Sequence, residues 1–224
     1  MCRCTGYTKL FILFRASLSA GELPQAWKVA TVSPIFKKGS RSDVSNYTPI
    51  SLTSVCCKTM EKLVSEALLK HMIHNDFLSD YQHGFVRGRS CTTQMLLVVD
   101  KLSEILDQGG AVDTVYLDFA KAFDSVPHER LLLKLQSYGV NDCLLSWMRN
   151  FITSRQQSVC VDGIYSTVVN VISGVPQGSV LGPALFICYI NDMPETVSSF
   201  LFMYADDSKV GRQILCTADC RALH

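Results

Sequence analysis

The sequence lacks any long apolar run, internal repeat or low-complexity linker. A membrane-spanning helix needs about 20 consecutive apolar residues, and no stretch of this chain approaches that length. The short apolar segment KLFILF is followed at once by Arg15, which argues against a signal peptide. We therefore expect a protein that neither spans a membrane nor is secreted.

Paired Cys-x-x-Cys knuckles are also missing, although the chain has ten cysteines. These cysteines are scattered through apolar segments, and the five histidines complete no zinc-binding pattern. Scattered cysteines are typical of free thiols in a reducing compartment. The pattern argues against a disulfide scaffold and a zinc finger, and it predicts an intracellular location, in the nucleus or the cytoplasm.

What the chain does have is a globular composition, with 48% hydrophobic and 18% charged residues among 224. That length suffices for one large domain or two small ones. The net charge of +1 conceals an uneven distribution, because residues 1–60 carry eight Lys or Arg against two acidic residues. A basic first quarter suits contact with a polyanion. Ordinary scatter of charge is the alternative explanation.

The hydrophobic pattern predicts helices and strands in turn. Helical spacing covers residues 7–20, 55–74 and 91–106, and two further helices follow Pro127 and Asn141. The stretch WKVATVSPIFKKGS predicts a strand pair before a basic loop, and TPISLTS predicts a turn. Alternation in AVDTVYLDF predicts a strand, SVCVDGIYSTVVNVIS predicts a hairpin with Asp-Gly at its bend, and FLFMYADDSKV predicts another hairpin. The fold class is therefore α+β.

Three aspartates stand where charge is costly. Asp206 and Asp207 follow five apolar residues, and two carboxylates about 4 Å apart repel by roughly 4 kcal/mol at an effective dielectric of 20. Asp118 lies late in the strand YLDF. A solvated turn for the pair and an ion pair with Lys121 for Asp118 are the simple explanations. If the strand ends face each other, the three carboxylates can instead share divalent metal ions.

Five sequence blocks occur in a fixed order: NYTPISLTSVCCKTMEKLV, FLSDYQHGFVRGRSCTTQ, YLDFAKAFDSVPHERLL, SGVPQGSVLGPALFICYIND and YADD. Together they resemble the reverse transcriptase of non-long-terminal-repeat retrotransposons of the jockey-like or CR type, over about residues 8–222. The resemblance implies a right-hand polymerase fold. Residues 1–110 would form helical fingers and residues 111–224 an incomplete palm with an antiparallel sheet. It also implies a fragment without a thumb.

The resemblance further implies an RNA-directed DNA polymerase whose partners are an RNA template with a DNA primer and deoxynucleoside triphosphates. Asp118, Asp206 and Asp207, with the carbonyl of Phe119, would bind two Mg²⁺ ions, and Mn²⁺ is an alternative ion. Two rivals stay open. The chain could be an inactive truncated remnant that at most binds nucleic acid, or a related palm polymerase such as a group II intron maturase.

Three further residues match positions of that family, Phe123 and Gln177 as nucleotide-binding residues and Gly178 as a template-binding residue. Phe123, five residues after Asp118, matches the aromatic gate that collides with a ribose 2′-hydroxyl; a core aromatic is the alternative. Gln177, in Pro-Gln-Gly, matches a residue lining the nucleotide and template pocket. Gly178 would let the backbone approach nucleic acid closely, although a turn before a helix would also favour glycine.

Four basic residues are candidates for contacts with phosphate. Lys37 and Lys38 fall where the family's fingers contact the triphosphate, and Arg87 and Arg89 fall where template or phosphate contacts are made. Solvated surface charges are the alternative for all four.

Two positions depart from the family pattern. The family usually has Arg where this chain has Thr48, and Arg again where this chain has Val86, just before Arg87. Threonine donates one neutral hydrogen bond in place of a guanidinium fork. Losing one charge-assisted phosphate contact costs on the order of 1.5 to 3 kcal/mol, so we expect weaker nucleotide binding.

Overall fold

The computed structural model describes residues 4–216 and 218–219. Its helices are α1 (Cys4–Ala20), α2 (Val55–His74), α3 (Cys91–Asp107), α4 (His128–Ser137), α5 (Asp142–Ile152) and α6 (Gly182–Ile190). Its strands are β1 (Val29–Phe36), β2 (Tyr47–Leu52), β3 (Ala111–Asp118), β4 (Arg155–Val161), β5 (Ile164–Tyr165), β6 (Val169–Val171), β7 (Phe200–Tyr204) and β8 (Asp207–Ile214). None of the helices within the described ranges has the length and apolar character needed to cross a membrane.

The chain divides into two compact units. The first unit comprises Met1–Lys70 and Phe123–Leu185, and the second comprises His71–Ala122 and Phe186–His224. Each unit thus gathers two separate stretches of the chain. The expected division into fingers, residues 1–110, and palm, residues 111–224, stays a prediction.

The first unit contains a mixed five-stranded sheet. Its strands lie in the order β2-β1-β4-β5, with β6 also paired to β4. β1 runs antiparallel to β2 and parallel to β4. The β4–β5 hairpin bends at Asp162 and Gly163, both with positive φ, as the Asp-Gly pair predicts.

The strand β2 replaces the turn that the sequence predicts around Pro49, so that prediction is wrong. Pro49 lies opposite Pro34 in the β1–β2 ladder, and β2 is the edge strand of its sheet. Proline has no N–H to donate, and an edge strand tolerates it. The expected strand pair within residues 27–40 is also wrong, because β1 finds its antiparallel partner beyond the basic loop.

Helices α1 and α5 pack together in the first unit. The rings of Trp147 and Phe151 stack with centroids 5.6 Å apart, and the Trp147 indole N–H donates to Ser17 Oγ over 2.9 Å. Asn141 caps α5, as expected, by accepting from the Leu144 backbone N–H at 2.9 Å. Both rings are therefore fully buried, and the indole nitrogen of Trp147, their one polar atom, has a hydrogen-bond partner.

The second unit contains an antiparallel sheet in the order β3-β8-β7. Leu201 and Met203 of β7 and Val210 of β8 form its buried cluster. The expected strand in AVDTVYLDF and the expected hairpin in FLFMYADDSKV are both confirmed. This sheet carries all three aspartates that the sequence singles out.

Candidate active site

The acidic residues follow the buried strand β7 because a tight turn ends that strand. Tyr204 pairs with Asp207, which leaves Ala205 and Asp206 as a two-residue turn. Two-residue hairpin turns need positive φ at their first position, and Ala205 has φ +54°. The apolar run thus anchors the hairpin, while the turn brings Asp206 and Asp207 to its tip.

Asp118, the last residue of β3, lies directly opposite Asp207, the first residue of β8. Residues opposite each other in an antiparallel ladder have Cα atoms about 4.5 to 5.5 Å apart and side chains on the same face. Asp118 and Asp207 are exposed, and Asp206 is half-buried. The tertiary structure therefore brings the three predicted aspartates to one end of one sheet.

None of these three side chains makes a hydrogen bond or an ion pair within the described part of the chain. The ion pair between Asp118 and Lys121, the simple explanation of Asp118, is therefore absent from those residues. Carboxylate oxygens are the ligands that Mg²⁺ prefers, so the donor set suits this ion.

The three aspartate side chains are not, however, arranged as a metal-binding group. Among residues 4–216 and 218–219, no group of three or more His, Cys, Asp or Glu side chains is placed to hold a metal ion. The carbonyl of Phe119, the fourth expected ligand, accepts from the Ala122 N–H at 3.3 Å. A carbonyl oxygen has a second lone pair that such a bond leaves available. The backbone therefore places the three aspartates at one end of the sheet, but their side chains do not converge on a shared ion.

The turn is held by a residue that the sequence reasoning missed. Gln82 Oε1 accepts from the Ala205 N–H at 2.9 Å, and its Nε2 donates to the Ala205 carbonyl at 3.4 Å. The only signal in the sequence was that Gln82 lies in the block QHGFVRGRS. Its partner lies 123 residues away, so the pairing itself is invisible to local patterns.

The two expected template arginines differ in their surroundings. Arg89 Nη1 donates to the Ser79 and Gln82 carbonyls, each at 2.7 Å, and its Nη2 lies 2.7 Å from Asp80. Arg87 is exposed. Arg89 therefore ties its own loop together, whereas Arg87 is accessible to a ligand.

In the first unit, the Pro-Gln-Gly turn is fixed from two sides. Gln177 Nε2 donates to Asp124 Oδ1 at 3.0 Å, and the Gln177 carbonyl accepts from the Ser51 N–H at 2.9 Å. Gly178 has φ +89°, and a Cβ there would lie 2.9 Å from the Ser51 carbonyl oxygen. Asp124 and Ser51 are thus further site residues that the sequence reasoning missed.

Ser51, Asp124 and Gln177 line a cavity of about 270 Å³ together with Arg155. Arg155 is 2% exposed, and its Nη1 donates to the Phe151 carbonyl at 3.1 Å. Its Nη2 has no hydrogen-bond partner among the described residues. Burial lowers the pKa of this guanidinium from its ordinary value. The lining of the cavity thus carries one buried cation, Arg155, and one carboxylate, Asp124.

Phe123 belongs to a short 3₁₀ helix, Phe123–Ser125, in the same unit. Its side chain is half-buried, and its carbonyl accepts from the Val175 N–H at 2.8 Å. This bond joins the segment after β3 to the segment before the Pro-Gln-Gly turn. Its role as a gate stays a prediction.

Lys37 and Lys38 are exposed in the loop after β1. Of the two departures from the family pattern, Thr48 has a buried hydroxyl without a hydrogen-bond partner in the described chain, and Val86 is buried at 7% exposure. Val86 therefore serves packing, and Arg87 supplies the exposed cation beside it.

The arrangement of helices and strands resembles that of solved telomerase structures. Telomerase from Candida tropicalis, in complex with a TWJ fragment of telomeric RNA, has a TM-score of 0.67 and 10% identity, covering 96% of this chain and 41% of that one. Telomerase from Candida albicans, in complex with the same kind of RNA fragment, has a TM-score of 0.66 and 11% identity, covering 97% and 44%. The chain therefore has a polymerase-type fold of mixed helix and sheet.

Residues 35–219 match the family described as Reverse transcriptase (RNA-dependent DNA polymerase), and the chain belongs to that family. It is 32% identical over 210 residues to the RNA-directed DNA polymerase from mobile element jockey of Drosophila melanogaster, covering 90% of this chain and 23% of that protein. It is 31% identical over 214 residues to the probable RNA-directed DNA polymerase from transposon X-element of the same fly, covering 93% and 24%. The expected resemblance to jockey-like retrotransposons is confirmed.

The chain thus spans about a quarter of the length of these curated relatives. What the relatives do as whole proteins can be attributed to this chain only as a proposal.

Proposed function

We propose that this chain carries a centre for RNA-templated DNA synthesis. A primer 3′-hydroxyl attacks the α-phosphorus of a deoxynucleoside triphosphate, and pyrophosphate leaves. The observation that carries the proposal is the register of Asp118 opposite Asp207, with Asp206 in the adjoining turn. Membership of the reverse transcriptase family and the names of the relatives support the same reaction.

Asp118, Asp206 and Asp207 are the proposed metal ligands, with the Phe119 carbonyl as a fourth. Two Mg²⁺ ions, or Mn²⁺ in their place, supply activation of the primer hydroxyl and charge neutralisation at the leaving pyrophosphate. Exposure of Asp118 and Asp207 supports this role, because a carboxylate must be reachable by both ion and substrate.

Gln177 is the proposed contact to the nascent base pair, and Gly178 allows close approach of the backbone. Two bonds support this role, because Asp124 orients the Gln177 amide and Ser51 fixes its carbonyl. A positioned side chain loses less conformational entropy when a ligand binds. Phe123 is the proposed selector of deoxyribose over ribose.

Lys37 and Lys38 are proposed to contact the triphosphate, and Arg87 the template phosphates; exposure of all three side chains supports these roles. Arg89 is proposed to reach the template only through the loop that it braces, since its donors are engaged within that loop. An intracellular location belongs to the proposal too. It is supported by seven cysteines that are free thiols: Cys56, Cys57, Cys91, Cys143, Cys160, Cys188 and Cys216.

The test is primer extension on a poly(rA)/oligo(dT) template with Mg²⁺ or Mn²⁺. The wild-type chain is compared with Asp206→Asn and Asp207→Asn, and we expect each substitution to lower extension at least a hundredfold. Asp113→Asn is the matched control, because Asp113 lies in β3 with its side chain exposed but opposite Arg212. The control is expected to extend like the wild type.

A second assay addresses Phe123. Phe123→Val should raise incorporation of uridine triphosphate relative to thymidine triphosphate at least tenfold, while Phe11→Val, at an exposed phenylalanine of α1, should leave the ratio unchanged. Absence of extension in the wild type with either ion would contradict the proposed activity. The chain would then be the inactive remnant, and mobility shift with the same template would measure what nucleic-acid binding it retains.

A further inference from the structure

Gln82 is a buried polar residue whose side chain reaches the turn between β7 and β8. It is 0% exposed. Its Oε1 accepts two backbone N–H groups, from Gly84 at 2.7 Å and from Ala205 at 2.9 Å. Its Nε2 donates to the Ala205 carbonyl at 3.4 Å. A single amide thus engages both polar groups of one turn residue.

Ala205 is a residue that needs such support. It has φ +54°, in the left-handed region that non-glycine residues enter only at a cost in free energy. Backbone in such a conformation persists where its surroundings over-determine it. The two hydrogen bonds between Gln82 and Ala205 hold the backbone in this conformation. Ala205 is the residue immediately before Asp206.

The main chain around Gln82 reinforces the contact. Residues 81 and 83 flank β7, with the Met203 N–H donating to the Tyr81 carbonyl and the His83 N–H donating to the Met203 carbonyl, both at 2.9 Å. Gly84 lies so close that a Cβ there would be 2.3 Å from the Ala205 nitrogen. The loop is therefore pressed directly against the turn.

Packing alone does not explain a glutamine at this position. Burying an amide costs free energy unless it is hydrogen-bonded, and leucine would fill a similar volume without that cost. The amide has one acceptor and one donor group, and Ala205 presents one N–H and one carbonyl. The side chain therefore matches the polar groups of the turn.

We propose that Gln82 is a positioning residue for the acidic turn, fixing the backbone of Ala205 and thereby the directions in which Asp206 and Asp207 leave it. This inference rests on the proposed function, because it takes the two carboxylates to be ligands of a divalent cation. Gln82 does not itself touch the cation. It acts through the turn.

The test measures two properties of Gln82→Leu. Mn²⁺ affinity is determined by electron paramagnetic resonance titration, with Asp206→Asn as the variant that removes the site. Amide hydrogen exchange at Ala205 is followed by NMR, with Met203 as an internal reference because its N–H bonds to a main-chain carbonyl. We expect Mn²⁺ binding to weaken at least tenfold and exchange at Ala205 to accelerate at least tenfold relative to Met203.

Gln94→Leu is the matched control. Gln94 is 2% exposed, and its Oε1 accepts from Lys209 Nζ at 3.4 Å, so it contacts β8 away from the turn. Both properties should change by no more than about twofold. Equal Mn²⁺ affinities for Gln82→Leu and Gln94→Leu, beside an Asp206-dependent wild-type site, would overturn the inference and leave the proposed function intact.

A wild-type chain without Asp206-dependent Mn²⁺ binding would overturn the proposed function. Hydrogen exchange at Ala205 would then decide whether Gln82 positions the turn. Faster exchange in Gln82→Leu would support that role, and unchanged exchange would overturn it. If Gln82→Leu does not fold, Ala205→Gly is added, because glycine adopts positive φ without strain. The double variant should fold and still bind Mn²⁺ at least tenfold more weakly than Ala205→Gly alone. Equal affinities would overturn the inference.

Discussion

Asp118 and Asp207 face each other across the β3–β8 ladder, each at the end of its strand. Like charges directly opposite destabilise an antiparallel pair, by an amount of order 0.5 kcal/mol. Neutral residues at these two positions would make the sheet more stable, yet both positions are aspartates. Such a cost is expected where carboxylates are kept for chemistry.

Neutralising Asp118 should therefore stabilise the metal-free chain. We expect Asp118→Asn to raise the melting temperature in EDTA by about 1 to 2 °C, since about 0.5 kcal/mol corresponds to that shift in a domain of this size. In 10 mM Mg²⁺ the wild type should gain stability and the variant should not. Differential scanning calorimetry in both buffers measures this.

The control for that prediction lies in the same strand. Asp113 is opposite Arg212, so Asp113→Asn removes an attraction and should lower the melting temperature slightly, or leave it unchanged, in either buffer. A lower melting temperature for Asp118→Asn in EDTA would contradict the repulsion.

The bond between Asp124 and Gln177 should appear as an energetic coupling. Single and double alanine substitutions are predicted to give a coupling of about 1 kcal/mol in the free energy of unfolding, measured by urea titration, because the acceptor is a half-buried carboxyl oxygen. The Gln156–Asn170 pair, an exposed bond of 3.2 Å in the same unit, is the control and should couple by less. Equal coupling energies for the two pairs would argue against a specific role of Asp124 in positioning Gln177.

Gly178 should tolerate a side chain poorly for two reasons. Gly178→Ala places a residue at φ +89° and sets its Cβ 2.9 Å from the Ser51 carbonyl oxygen. We expect it to lower the free energy of unfolding by about 2 to 3 kcal/mol. Gly163→Ala, at φ +81° with open space around it, isolates the backbone strain and should cost about 1 kcal/mol. Similar losses for both in urea titrations would exclude the contact with Ser51.

His83 should make stability depend on pH. Its Nδ1 lies 3.1 Å from Thr93 Oγ1, and its buried Nε2 has no partner among the described residues. Burial lowers the pKa of His83, and the nearby Arg89 lowers it further, against an opposing effect of Asp80. The stabilisation is therefore complete above the unfolded-state pKa near 6.5 and is lost as pH falls below it.

Between pH 7.5 and 5.5, the wild type should lose more unfolding free energy than His83→Gln does. The exposed His74 offers a control, and His74→Gln should follow the wild type. Parallel pH profiles for the wild type and His83→Gln in urea titrations would show that the imidazole does not stay neutral in the folded chain.

Local patterns in the sequence were enough to predict much of this protein. Apolar spacing predicts α2 and α3, whose bounds Val55–His74 and Cys91–Asp107 agree with expectation within one residue, because a helix is built from contacts three and four residues apart. Alternation and turn residues likewise predict β3 and the acidic hairpin. The unfavourable position of three charges among apolar residues singles out the aspartates, and the ordered motifs then indicate the family.

Only the tertiary structure decided which distant strands and side chains pair with each other. β2 forms where TPISLTS suggests a turn, because β1 offers it a ladder in which Pro34 and Pro49 face each other. Gln177 meets Asp124 across 53 residues, and Gln82 meets Ala205 across 123. Such contacts depend on how distant segments pack to bury apolar surface and satisfy polar groups, and no local periodicity records that choice.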